Sequence, residues 1–192
     1  MALDPIKRFQ RWMRDAQSAG TELAESVALA TCDRRGRPSV RFVLLKSVSH
    51  DGFVFYTHAD SAKGRDMEAN PNVALAAYWH EIGKQVRVEG RVSLVDASEA
   101  DAYWLERPRA NRIAALASRQ SRPLGSRSAL IRTYRSLEKR FFGKDVPRPP
   151  LWTGYRLVPN AIEFWEREEP RLHRRELFVR RGGIWRKTLL QP

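Results

Sequence analysis

The sequence predicts a mainly β fold, an antiparallel meander or barrel of α+β character with helices packed around it. Three observations predict it. Between Val27 and Asp96, short apolar runs rich in Val, Phe and Tyr are separated by Gly, Asp-Gly and Pro turns. These runs are close in sequence and joined by short connections, which favours antiparallel neighbours over crossover units. After a helical stretch, the chain returns to apolar alternation and closes on a Gly182-Gly183 hairpin turn.

Each element follows in order. Asp4-Pro5 makes a helix start, with Asp4 as N-cap and Pro5 at the first helical position. Ile6, Phe9, Trp12, Met13 and Ala16 then repeat at helical spacing, and Gly20 can end the helix. Strands are expected at 27–33, 39–48 and 53–58, with Gly36 and Asp51-Gly52 in the turns between them. Ser61 caps a short helix closed by Pro71, and strands follow at 73–80 and 85–96 around Gly83. Ser98 caps a helix ending at Pro108, residues 111–118 and 126–142 read as helical, and 146–154 reads as a rigid Pro-rich connector. The final strands are expected at 155–159, 162–165, 174–181 and 184–190. With no internal repeat and no low-complexity tract, the whole of 1–192 reads as a single domain. It comprises an N-terminal helix at 4–19, barrel strands over about 26–96, helices over about 98–143 and closing strands over about 154–190.

Composition excludes several classes. No apolar run reaches the ~18 residues that span a bilayer, so no membrane partner is expected. The N-terminus lacks an apolar signal-peptide core. Cys32 is the only cysteine, which fits a reducing, cytoplasmic setting. One Cys and four scattered His (His50, His58, His80 and His173) show no metal-ligand spacing, so no metal is expected. The net charge of +13 is lopsided: residues 107–192 hold 21 of the 35 Lys and Arg but 7 of the 22 Asp and Glu. Such a balance fits a polyanion or a phosphorylated ligand, and equally a basic solvated surface. With no helix-turn-helix, zinc-finger or RNA-reader signature, nucleic acid is not the expected partner.

Chemistry-bearing residues concentrate in a few blocks. In IEFWEREEPRLHRR (162–175), an Arg-x-His-x-Arg array on extended backbone would put Arg171, His173 and Arg175 on one strand face. Cations crowded there call for an anion between them, although a solvated basic edge strand has the same spacing. Arg41 and Lys46 bracket an apolar run. Tyr56 and Thr57 end the following strand, and Lys63 sits in the first turn of the next helix, a natural phosphate site. Tyr103 and Arg107 lie four apart, on one helix face, where a guanidinium can fork onto a phosphate. No dinucleotide fingerprint, P-loop or nucleophile elbow occurs.

Taken together, RFVLLK (41–46), FVFYTHADSAKG (53–64), KQVRVEG (84–90), YWLERPR (103–109), SRQSRPLGSR (118–127) and IEFWEREEPRLHRR (162–175) resemble, in order and spacing, the pyridoxamine 5'-phosphate oxidase family. The resemblance runs from about Leu3 to Pro192. It implies an FMN-binding split β-barrel and a homodimer with FMN at the subunit interface. It also implies oxidation of pyridoxamine or pyridoxine 5'-phosphate to pyridoxal 5'-phosphate by oxygen. By resemblance, Arg41, Val43, Leu44, Tyr56, Thr57, Lys63 and Gln85 hold FMN, and Gln120, Ser121, Trp165 and Arg175 reach it from the partner subunit. Lys46, Tyr103, Arg107 and Asn111 cradle the substrate phosphate, and Arg171 and His173 cover the substrate ring as catalytic residues. Four positions depart from the family pattern: Ala62 for an Arg, Asn111 for a Ser, Glu166 for Gln, His or Gly, and Arg174 for an acidic or amide residue. Two alternatives share the fold: an FMN oxidase of phenazine assembly, and a non-catalytic flavin or pyridoxal-phosphate binding module.

Overall fold

A capped amphipathic segment opens the fold. Helix α1 (Pro5–Ser18) starts where the Asp4 carboxylate accepts the Lys7 N–H at 3.0 Å, and it buries Ile6, Phe9, Trp12 and Ala16. The computed structural model describes residues 4–192, so Leu3, where the resemblance begins, lies outside the described residues. Chain contacts divide the protein into two compact units. One takes the chain up to Phe55, Asp66–Ser93 and Tyr155–Pro192; the other takes Tyr56–Arg65 and Leu94–Gly154.

The first unit is built on a sheet. Its strands are β1 (Ser26–Cys32), β2 (Pro38–Leu44), β3 (Ser47–Ser49), β4 (Gly52–His58), β5 (Asn72–Trp79), β6 (Lys84–Leu94), β7 (Trp152–Glu166), β8 (Arg174–Arg181) and β9 (Ile184–Leu190). They follow the order β2-β1-β5-β6-β7-β4-β3, with β8 paired to β7 and β9 to β8. Alternation along β1 points Val27 and Leu29 inward, where they join Phe53, Phe55, Leu75, Val86, Leu157 and Ile162 in one core. Helix α1 seals it through edge-to-face contacts: Phe9 on Phe53 and Trp12 on Phe164, both at 5.0 Å. Buried Trp79 gives its indole N–H to the Ala24 carbonyl at 2.9 Å. In the β8–β9 hairpin, Gly182 and Gly183 have φ of 57° and 81°, the left-handed pair that a two-residue type I′ turn requires.

Two strand expectations need correction. The predicted 39–48 strand is two strands, because the chain changes partners at Leu45-Lys46. The Leu45 N–H donates to the Glu25 carbonyl beside β1, whereas the Lys46 N–H donates to Val54 on β4. Conversely, 155–159 and 162–165 belong to one 15-residue strand, β7. Pro159 lies within it, and Gly90 of β6 packs against Val158 and Pro159, where any Cβ would collide with the Val158 carbonyl.

The second unit is helical. Helices α3 (Ala97–Glu106), α4 (Arg109–Ala117) and α5 (Arg127–Arg140) surround a small core of Trp104, Ile113, Val146 and Trp152. Helix α3 begins one residue before the expected Ser98 cap, with Asp96 at the cap position. Ser126 caps α5 by accepting the Ala129 N–H at 3.1 Å. Helix α2 (Ala62–Ala69) follows Ser61, whose hydroxyl accepts the Gly64 N–H at 3.3 Å, as the sequence predicts.

Candidate functional site

In the second unit the end of β4 and the first turn of α2 bring Thr57 and Lys63 together. Lys63 is only 8% exposed, and its ammonium lies 3.2 Å from the Thr57 hydroxyl and 3.2 Å from the Gln120 side-chain oxygen. Thr57 in turn donates to that oxygen at 2.7 Å. Gln120 thus meets this pair within its own chain. Ser121, next in sequence, adopts a left-handed backbone with φ of 67°. These two bonds from Lys63 go to the neutral oxygens of Thr57 and Gln120.

Arg107 ends α3, its N–H donating to the Trp104 carbonyl at 3.3 Å. Its guanidinium lies 5.0 Å from the centre of the Trp152 ring, and its buried Nε has no hydrogen-bond partner. Tyr56, Tyr103 and Trp152 form a stack, with Tyr56 and Tyr103 centroids 4.1 Å apart and Tyr56 and Trp152 5.2 Å apart. Burial pushes the Tyr103 phenol up, and its hydrogen-bonded neighbour Arg107 offsets part of that, so Tyr103 stays a neutral donor. Thr57, His58, Arg107, Asn111, Gln120 and Trp152 line one cavity of about 250 Å³.

His58 is the residue that sequence reasoning missed. It is buried at 9% exposure, and burial pushes its pKa below the ordinary value. Asp60 pulls it up, while Lys63 and Arg107 push it further down. Its one sequence signal was adjacency to Thr57; taken as one of four scattered His, it shows only that it lacks metal-ligand spacing.

The first unit holds the remaining predicted residues. Arg41 on β2 is already engaged. It donates to the Thr31 hydroxyl at 2.6 Å and the Ser39 hydroxyl at 2.8 Å, and it pairs with Asp66 at 3.6 Å. Burial pushes its pKa down, and Asp66 pulls it back up. Val43 is half-buried and Leu44 exposed on the same strand, Lys46 is exposed at the β2–β3 bend, and Gln85 faces Tyr78 across β5–β6. Trp165 on β7 pairs with Arg175 on β8, and its ring lies 4.6 Å from that of His173.

The proposed single face of Arg171, His173 and Arg175 is not formed. Strand β8 begins at Arg174; Pro170 has no N–H to give a ladder, and Arg171 sits in the left-handed region with φ of 81°. Arg171 and His173 therefore belong to a turn, in which the Arg171 N–H donates to Glu168 O at 3.1 Å and the Glu168 N–H to His173 Nδ1 at 3.2 Å. The anion beside Arg175 is the protein's own. Glu163, 6% exposed, accepts Arg175 Nε at 2.8 Å and Arg87 at 3.0 Å, while Glu168 pairs with Arg174 at 3.3 Å. Glu166, one of the departures, lies 3.9 Å from Arg8 and 3.7 Å from Lys84. Among the described residues no cluster of three or more His, Cys, Asp or Glu could hold a metal, and no helix is long and apolar enough to cross a membrane.

Comparison with known proteins gives a consistent set of relatives. Residues 13–141 match the family model described as pyridoxamine 5'-phosphate oxidase, and residues 152–192 match the pyridoxine 5'-phosphate oxidase C-terminal dimerisation region. A pyridoxine/pyridoxamine 5'-phosphate oxidase of Rubrobacter xylanophilus is 50% identical over 98% of this chain and 87% of its own. One of Anaeromyxobacter dehalogenans is 49% identical over 100% of this chain and 96% of its own. Among solved structures, PhzG from Burkholderia lata in complex with tetrahydrophenazine-1-carboxylic acid has a TM-score of 0.94 at 36% identity, covering 98% of this chain and 93% of its own. An FMN-binding, pyridoxamine 5'-phosphate oxidase-related protein from Nostoc punctiforme shares the fold, with a TM-score of 0.78 at 20% identity over 100% of both chains.

Proposed function

This chain belongs to the pyridoxamine 5'-phosphate oxidase family, and from that premise we propose that it oxidises pyridoxamine or pyridoxine 5'-phosphate to pyridoxal 5'-phosphate as an FMN-dependent homodimer. Oxygen is the acceptor, hydrogen peroxide is released, and the amine substrate also yields ammonia. The observation that carries the substrate assignment is the pocket of Arg107 and Asn111. A guanidinium and a side-chain amide lining one cavity offer a phosphate charge-assisted and neutral hydrogen-bond donors.

The donor chemistry fits both phosphorylated ligands. Lys63, nearly buried beside Thr57 at the start of a helix, supplies a positive charge and hydroxyl for the FMN phosphate. Ala62 places a methyl group beside Lys63 where the family pattern has an Arg. Tyr56, Gln120 and Ser121 assist in the second unit; Arg41, Val43, Leu44, Gln85, Trp165 and Arg175 are the first unit's assigned FMN residues. When bound, FMN supplies the two-electron acceptor and its reoxidation by oxygen. Arg107, Tyr103 and Asn111 are the second unit's residues for the substrate phosphate and Lys46 is the first unit's assigned one; a held phosphate restricts where the pyridine ring can lie and lowers the entropy cost of reaching a reactive geometry. Arg171 covers the ring. His173, its Nδ1 occupied by the Glu168 N–H, presents Nε2 to the ring substituent.

Aerobic turnover of pyridoxine 5'-phosphate by the FMN-loaded dimer, read as pyridoxal 5'-phosphate absorbance with stoichiometric peroxide, tests this function. No turnover overturns it. The similarity to PhzG supports a second reading, oxidation of a reduced phenazine carboxylate. Turnover of tetrahydrophenazine-1-carboxylic acid, with none of the phosphorylated vitamers, would establish that reading instead.

A further inference from the structure

We propose that His58 is a further phosphate-binding residue of the Arg107–Asn111 pocket, and that it takes up a proton when a phosphate monoester binds there. This rests on the reading of that pocket as the substrate phosphate cradle. His58 closes β4 immediately after Thr57 and is nine-tenths buried. Its ring makes no hydrogen bond among the described residues, yet neither ring nitrogen is among the sealed, partnerless atoms. It lines the 250 Å³ cavity with Arg107 and Asn111 and also a neighbouring cavity of about 760 Å³. A buried imidazole that opens onto ligand space and makes no ring hydrogen bond among the described residues is a ligand-facing group.

The charges around it determine the sign of the linkage. Asp60 follows it in the loop, Lys63 faces it from α2 and Arg107 from the end of α3, while Arg119 and Arg122 line the larger cavity from the loop after α4. Without ligand, burial and the two nearby cations favour the neutral ring, and Asp60 alone opposes them. A phosphate dianion on Arg107 reverses this balance, because it attracts a proton to the adjacent ring. Protonated His58 then donates a charge-assisted hydrogen bond that the neutral ring makes only weakly. Phosphate monoesters have a second pKa near ~6, so above pH 7 the phosphate group itself is already dianionic.

The test measures pyridoxal 5'-phosphate binding to the FMN-loaded dimer between pH 7 and 8.5, for wild type, His58→Asn and His58→Gln. The wild-type Kd should rise by up to about tenfold per pH unit, the limit for uptake of one proton. Both variants should bind more weakly at pH 7 and show a flatter slope. The ligand's own ionisations are common to all three proteins, so the difference in slope isolates His58. Pyridoxal, lacking the phosphate, should show no His58-dependent slope. A measurement on the wild type alone guards against variants that fold poorly: the His58 ring-proton resonance must titrate at higher pH once pyridoxal 5'-phosphate is added. Equal slopes in all three proteins, or an unmoved His58 titration, overturn the role of His58 while leaving substrate turnover intact. A wild type that binds FMN but neither binds nor turns over any phosphorylated vitamer overturns the cradle as well.

Discussion

Replacing Arg107 by alanine should separate binding from folding. A guanidinium that forks onto a phosphate makes charge-assisted hydrogen bonds worth about 1.5–3 kcal/mol each. A loss of about 3–4 kcal/mol overall corresponds to a rise in KM of roughly a hundred- to a thousandfold for the phosphorylated vitamer. Stability should behave differently. The variant loses the guanidinium contact with the Trp152 ring at 5.0 Å, worth about 0.5–2 kcal/mol. It also removes the buried, partnerless Nε, and relief of such a group returns about 1–3 kcal/mol. The two nearly cancel, so the urea midpoint should move little. Steady-state kinetics with pyridoxine 5'-phosphate and with unphosphorylated pyridoxine, alongside urea unfolding of the FMN-loaded dimer, give all three quantities. A phosphorylated-substrate KM within threefold of wild type, combined with a clear loss of stability, would refute the cradle and leave Arg107 a packing residue.

Further outcomes follow from the first unit. Glu163→Gln should destabilise the protein by about 1–3 kcal/mol in urea unfolding, because it weakens the charge-assisted bonds from Arg87 and Arg175, and the loss is moderated because both arginines can reach water. Arg171→Gly should keep or slightly raise the melting temperature, since its φ of 81° suits glycine. The same variant should lower kcat with pyridoxine 5'-phosphate, and an unchanged kcat would remove Arg171 from the chemistry. For Glu176, burial pushes the pKa up, but bonds from Lys187 and Arg8 outweigh it and hold the carboxyl below its usual range. Its stabilisation is therefore present above the unfolded-state pKa and is lost as pH falls through the lower folded-state value. Acid unfolding of Glu176→Gln should show a shallower pH dependence in that window than wild type, and identical acid profiles would count against it.

Local features were legible because they depend on neighbours in the chain. Asp4-Pro5 at the α1 start, Ser126 at α5 and Gly182-Gly183 in the final hairpin all act within a few residues. Period-two alternation likewise located the strands. Arg171 and His173 were misplaced because alternation was extended back through Pro170, which cannot join a ladder. The anion beside Arg175 was sought outside the protein because Glu163 reaches it only through the register that pairs Trp165 with Arg175.

The candidate site divides in the same way. Spacing and side-chain type in the sequence singled out Lys63, Tyr103 and Arg107 as candidate phosphate donors, since a helix start and an i, i+4 pair are local geometry. Burial is not local. Only the folded chain determined that Lys63 is nearly sealed against Thr57 and Gln120, that Arg41 is occupied by Thr31, Ser39 and Asp66, and that the His58 ring is buried with no hydrogen bond among the described residues. Hydration and partners set the charge and availability of an ionisable group, and both come from segments far apart in the sequence.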